Sequence, residues 1–192
     1  MITFEENGHI YRDDAGVQIP SVTQIIKAAG LMGDMSFYDD YSRDRGSKVH
    51  LATALHDRGT LDETTVAPEI EPYLAGWIRF REESEFEPVE IEKMVHNIVY
   101  GYVGTLDRTG TMHGRDVLID IKTGAAQPWA GIQTAAYNEC YDDQFDKPYN
   151  RYAVELRGDG KYKLTSFTDR NDWSVFLSAL AIVNWKKNKG VK

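Results

Sequence analysis

Asp107, Asp120 and Lys122 stand in GTLDRTGTMHGRDVLIDIKTG, residues 104–124, amid apolar residues that pattern as buried strands. Packing alone gives such strands no use for opposite charges. Successive side chains of a strand point to opposite faces, so Leu118, Asp120 and Lys122 share one face and Val117, Ile119 and Ile121 the other. In the preceding strand Val103, Thr105 and Asp107 share a face. A hairpin between the two strands would bring Asp107 toward the Asp120–Lys122 pair, although the register is open at this level. Two neighbouring carboxylates repel unless something positive lies between them. Mg²⁺ and Mn²⁺ take oxygen ligands of this kind. A lysine beside such an ion can orient or deprotonate a water that attacks phosphorus, or stabilise the charge that develops there. The chemistry implied is metal-assisted phosphodiester hydrolysis. An acid two residues before a lysine is common, however. Asp159-Gly160-Lys161 repeats it in what reads as a hairpin turn, where a surface ion pair is sufficient explanation.

The elements that must position these residues follow from periodicity and punctuation. Residues 2–20 alternate and turn at DDAG, as in a short hairpin. A helix is expected over about 22–30, with Ser21 as N-cap and Gly30 as stop, and another over about 36–57. Ile70, Leu74, Trp77 and Ile78 give a helical spacing over about 69–84. The period then changes, with strands expected at about 88–97, 99–108 and 115–122. A helix from Pro128 to Tyr141, a hairpin turning at GDG and a closing helix over about 171–188 complete the chain. Helices flanking a run of strands, one of them between the third and fourth, predict a single α/β (α+β) domain with a central mixed sheet. Within residues 1–192 the N-terminal hairpin and helices would occupy about 1–85 and the catalytic core about 86–170.

Composition narrows the classes. With 192 residues and 42% hydrophobic content, the chain suits one globular domain, and no apolar stretch is long enough to span a bilayer. The start, MITFEENGHIY, lacks the basic and apolar blocks of a signal peptide, so a cytoplasmic location is expected, with no membrane partner. Cys140 is the only cysteine, which excludes an internal disulfide and a cysteine-ligated zinc or iron–sulfur site within one chain. Its apolar helical setting reads as packing. A net charge of −8 argues against a generally basic nucleic-acid surface, but a local patch can still hold phosphate. Basic residues cluster at Arg43, Arg45 and Lys48, and at Lys186, Lys187, Lys189 and Lys192. His9, His56, His96 and His113 read as structural or solvent-facing, and Trp77, Trp129, Trp173 and Trp185 as packing.

Five motifs in order extend the pattern: HIYRDDAGVQIPSVTQII from residue 9, Arg45-Gly46 with His50, GYVGTLD at 101–107, DIKTG at 120–124, and QTAAY at 133–137. Together they resemble the RecB-like branch of the PD-(D/E)xK nuclease superfamily, in particular small phage-type nucleases and the mitochondrial genome-maintenance exonuclease. The resemblance covers residues 9 to about 140. It implies a restriction-endonuclease-like core and Mg²⁺ or Mn²⁺ bound by Asp107 and Asp120, with the Ile121 carbonyl as a further ligand and His50 at the metal. Lys122 would position or activate the attacking water. Gln133 and Tyr137 would line the site and hold the DNA strand, with Arg45 beside them. Trp129, one turn before Gln133, would be placed to stack on a base. The family often adds a glutamate before the glycine-rich strand; Glu92 fits by strand position, with Glu90 and Glu82 as alternatives. The cluster-bearing subgroup uses four cysteines and is excluded. The chain also lacks a helicase motif.

The function expected is a metal-dependent DNA exonuclease acting at DNA ends or in single strands, in recombination, repair or phage DNA processing. The rival readings are a non-cutting binder of nucleic acid or protein on the same fold, and a subunit active only with a recombinase, helicase or single-strand-binding partner.

Overall fold

The computed structural model describes residues 2–5, 10–33, 39–141 and 149–191. The chain opens with a small antiparallel sheet in the order β1 (Thr3–Glu5), β2 (Ile10–Arg12), β3 (Gln18–Ile19). The expected bend lies between β2 and β3, where Asp13 Oδ1 accepts from the Ala15 and Val17 amides. One hairpin was expected here; β1 adds a third strand along β2. His9 and Lys192 lie outside the described residues.

Helix α1 (Val22–Ala28) starts at the anticipated cap: Ser21 Oγ accepts from the Gln24 amide, and Gln24 Oε1 accepts from the Ser21 amide. Helix α2 (Asp40–Asp57) is capped by Asp39, whose carboxylate accepts from the Ser42 amide; residues 36–38 of its expected start lie outside the described residues. Helix α3 (Glu71–Ser84) leads into the main sheet.

That sheet is built of β4 (Glu87–Asn97), β5 (Tyr102–Met112), β6 (Arg115–Lys122), β7 (Asn150–Leu156) and β8 (Tyr162–Phe167), in sequence order. All neighbours are antiparallel except β6 and β7, which run parallel. Parallel neighbours need a crossover, and α4 (Trp129–Asn138) lies in that connection. Helix α5 (Asp172–Lys189) closes the fold. The mixed sheet flanked by helices is the α+β class expected.

Two cores hold the layers together. On one face α1, α4 and α5 pack Ile25, Ala136 and Phe176 against Tyr102, Leu106 and Leu118. On the other, α2 and α3 pack Val49, Trp77 and Phe80 against Val117, Ile119, Ile121 and Val154. Trp77 and Trp173 are packing residues, as expected, whereas Trp185 is 57% exposed on α5, which corrects its assignment to packing. Cys140 is half-buried and donates to the Ala136 carbonyl; burial pushes its thiol up to about 12, so it is no thiolate nucleophile. Among the described residues no helix is long and apolar enough to cross a membrane.

The second strand of the sheet is displaced from its expected 99–108. Asn97 Oδ1 accepts from the Tyr100 amide, Gly101 adopts φ +68°, and the resulting turn delays the strand to Tyr102. The strand then runs on to Met112. Asp107 therefore lies inside a strand and not at its end.

Candidate metal centre

A split between β5 and β6 makes the site. Their pairing runs from Met112–Arg115 back to Arg108–Ile119 and stops there, while β6 continues beside β7 as far as Lys122–Glu155. At the split Asp107 Oδ2 accepts the Ile121 amide at 2.6 Å. The carboxylate thus takes the place of a strand partner for a backbone donor that burial would otherwise leave costly, and it is pinned by doing so.

Two further residues converge on Asp107. His50, on α2, sets Nδ1 3.4 Å from Asp107 Oδ1 and 3.7 Å from Glu92 Oε1. One donor atom from each of His50, Glu92 and Asp107 lies within 4.8 Å of the others. The register that pairs Ile91 with Arg108 and Lys93 with Leu106 brings Glu92 across from Asp107. Glu92 holds φ +52°, a left-handed conformation that costs a non-glycine residue about 1–2 kcal/mol. Such strain persists only where the surroundings impose it. Of the alternative glutamates, Glu90 accepts from Thr109 Oγ1 at 3.0 Å and from the Tyr141 hydroxyl, and Glu82 is exposed on α3.

Asp120 stands outside that three-residue group, on the α4 side of the sheet. Its carboxylate is 4% exposed, and Lys122 Nζ lies 2.8 Å from Oδ2. The two make a close ion pair inside the sheet. Lys122 Nζ donates to Gln133 Oε1 at 3.1 Å, and Gln133 Nε2 donates to the Tyr137 hydroxyl at 3.0 Å. The ammonium also sits 4.8 Å from the centre of the Trp129 ring. The indole face that was expected to meet a base is in contact with Lys122. Tyr137 reaches this chain because residue 104 is glycine: a Cβ there would fall 2.4 Å from Tyr137 Cε1.

Arg45 lies at the edge, its guanidinium 5.6 Å from the Tyr41 ring centre and 5.5 Å from that of Tyr73. One arm donates to the Thr123 carbonyl at 3.4 Å, while Nε is buried without a partner among the described residues. Ile121 enters the site through its amide, and its residue pairs with Val154 in the ladder.

The charges perturb one another. Burial disfavours the His50 imidazolium, yet Asp107 and Glu92 together outweigh burial and raise the ring to about 10. Burial likewise works against ionised Asp107, but His50, Lys122 and the Ile121 amide hold its carboxyl below the usual range. For Asp120, burial prevails over the attraction of Lys122, and the repulsion of Asp107 adds to it, so its carboxyl is raised. One ring nitrogen and two carboxylates, with donor atoms within 4.8 Å of one another, form a set that a hard divalent cation fits.

Sequence reasoning missed the residues beneath the site. Arg108, Asp57 and Thr53 are buried under Glu92 and Asp107. A signal existed, since His50, Thr53 and Asp57 are spaced i, i+3, i+7 and share a helix face.

The architecture is shared with a solved structure. A solved structure described as a "Putative exonuclease" from Eubacterium rectale is 11% identical, with a TM-score of 0.56 over 88% of this chain and 74% of that one, a likeness of fold alone. An alkaline exonuclease from Laribacter hongkongensis is 17% identical over 88% of this chain and 92% of that one, with a TM-score of 0.34, too loose to carry weight. No protein-family model and no curated sequence matches the chain.

Proposed function

We propose that this chain is a divalent-metal-dependent deoxyribonuclease of the RecB-like PD-(D/E)xK type, trimming DNA at ends or in single strands. The meeting of His50, Glu92 and Asp107 from three separate elements, beside the Asp120–Lys122 pair, carries this reading. His50, Glu92 and Asp107 would hold Mn²⁺ or Mg²⁺, with Asp120 as the next carboxylate. When bound, such an ion supplies Lewis acidity to a phosphate oxygen and to water. The mixed nitrogen and oxygen donors suit Mn²⁺ better than Mg²⁺.

The chain's own groups do the rest. Lys122 is held by Gln133, Asp120 and the Trp129 ring, so its ammonium is set before substrate arrives. In this reading it orients the attacking water and meets charge developing on the phosphoryl oxygens, with no reorganisation at the moment of reaction. Arg45, beside two tyrosine rings, offers its guanidinium to a backbone phosphate. Tyr137 and Gln133 line the strand's approach.

End-labelled single- and double-stranded DNA, incubated with Mg²⁺, Mn²⁺ or EDTA and with wild type or Lys122→Ala, tests this. Metal-dependent shortening from one end, lost in the variant, is the expected result. No cleavage on any substrate would refute an autonomous nuclease and leave a binder, or a subunit that needs a recombinase or helicase.

A further inference from the structure

We propose that Arg108 is the positioning residue of the metal centre, holding the Glu92 carboxylate where it meets His50 and Asp107. The inference rests on the metal-dependent reading above and adds a residue to it. Arg108 has no exposed side-chain surface. Its Nε donates to Asp57 Oδ2 at 2.6 Å and its Nη2 to Thr53 Oγ1 at 3.1 Å. Nη1 donates both to Glu92 Oε1 at 2.9 Å and to the Asp107 carbonyl at 2.6 Å. A single nitrogen thus fixes the side chain of one member of the group and the backbone of another.

The base of this arrangement is rigid. Asp57 is fully buried and also accepts from Trp77 Nε1 at 3.0 Å and Arg81 Nη1 at 2.9 Å. The guanidinium carbon lies 5.5 Å from the Trp77 ring centre. Asp57, shared with Arg81, and Thr53 fix Arg108 in the core, and the remaining arm is aimed at Glu92. That arm reaches a carboxylate 29% exposed, on a backbone held at φ +52°. Without it Glu92 would be free to leave the left-handed conformation and carry its oxygen out of the group. Lysine retains the charge but not the fork, and has no means of serving Asp57, Glu92 and the Asp107 carbonyl together.

Mn²⁺ binding to Arg108→Lys, Glu92→Ala and the double variant, followed by the paramagnetic resonance of the free ion, tests this without any activity readout. Arg108→Lys should weaken Mn²⁺ about 10- to 100-fold, the range seen when a ligand's supporting partner is lost. In the Glu92→Ala background the same change should cost clearly less, because only the Asp107 carbonyl remains as its target. Should Glu92→Ala bind too weakly for that readout, the rise in melting temperature with millimolar Mn²⁺ replaces it. Equal loss in both backgrounds, or no loss in wild type, overturns the role of Arg108 while the metal reading stands. Wild type that binds no Mn²⁺ overturns both. If Arg108→Lys does not fold, Thr53→Val, which frees one arm and removes no charge, should show a smaller loss with the same dependence on Glu92; its absence overturns the proposal.

Discussion

His50 carries a proton that a metal ion must displace. With the ring raised to about 10 by Asp107 and Glu92, the metal-free protein holds an imidazolium there at neutral pH. Ligation needs the neutral ring. Mn²⁺ binding at pH 7 should therefore release about one proton, and affinity should climb with pH until about 10. Calorimetry in buffers of different protonation enthalpy counts that proton, and a count of zero would remove His50 from the ligand set. At the same scale Lys122→Ala should abolish cleavage with the melting temperature close to wild type. Lys161→Ala, in the exposed turn where Asp159 lies 3.4 Å away, should change neither. Asp107, Asp120 and Lys122 were legible in the sequence because charge inside apolar strands violates the pattern around it. Arg108 was not, since an arginine after an aspartate looks like surface until Asp57 is placed beneath it.

Most elements announced themselves through period and caps, and the displaced β5 shows where that fails. Ile98, Val99 and Tyr100 are strand-forming residues, yet Ile98 and Val99 are 81% and 80% exposed in a turn imposed by Asn97 and Gly101. Turn chemistry overrode side-chain propensity. The split between β5 and β6 was invisible for another reason: a side chain, not a strand, satisfies the Ile121 amide. The fit of α4 on β5 gives a prediction at this scale. Gly104→Ala puts a methyl 2.4 Å from the Tyr137 ring, so the ring must move and its bond with Gln133 must break. Denaturant titration should show a loss of about 1–3 kcal/mol, typical of overpacking, and the cleavage rate should fall as Lys122 loses its support.

Taken whole, the molecule has a net charge of −8 and little free positive surface on α2. Arg43 pairs with Asp40, and Lys48 with Asp44 at 2.7 Å, which leaves Arg45 and Lys122 as the cations at the site. Few counterions would be released on binding. Each phosphate neutralised on a single strand contributes a slope of about −0.7 to log K against log salt. The total here should be about −1 to −2, measured by binding of a short labelled oligonucleotide in Ca²⁺. A slope of about −4 or steeper would reveal a basic surface elsewhere. At this scale the mixed sheet was anticipated, although the parallel β6–β7 pair was not singled out, while β1, three residues long, left too short a pattern to register as a third strand.

The centre is scattered along the chain, with His50 on α2, Glu92 on β4, Asp107 on β5, Asp120 and Lys122 on β6, and Gln133 on α4. During synthesis the ligands emerge first and the support for Lys122 last. A nascent or broken copy that stops short of α4 owns the acidic residues but lacks Gln133 and Trp129, which help to hold the lysine. Under the proposed function, such incomplete copies would be silent.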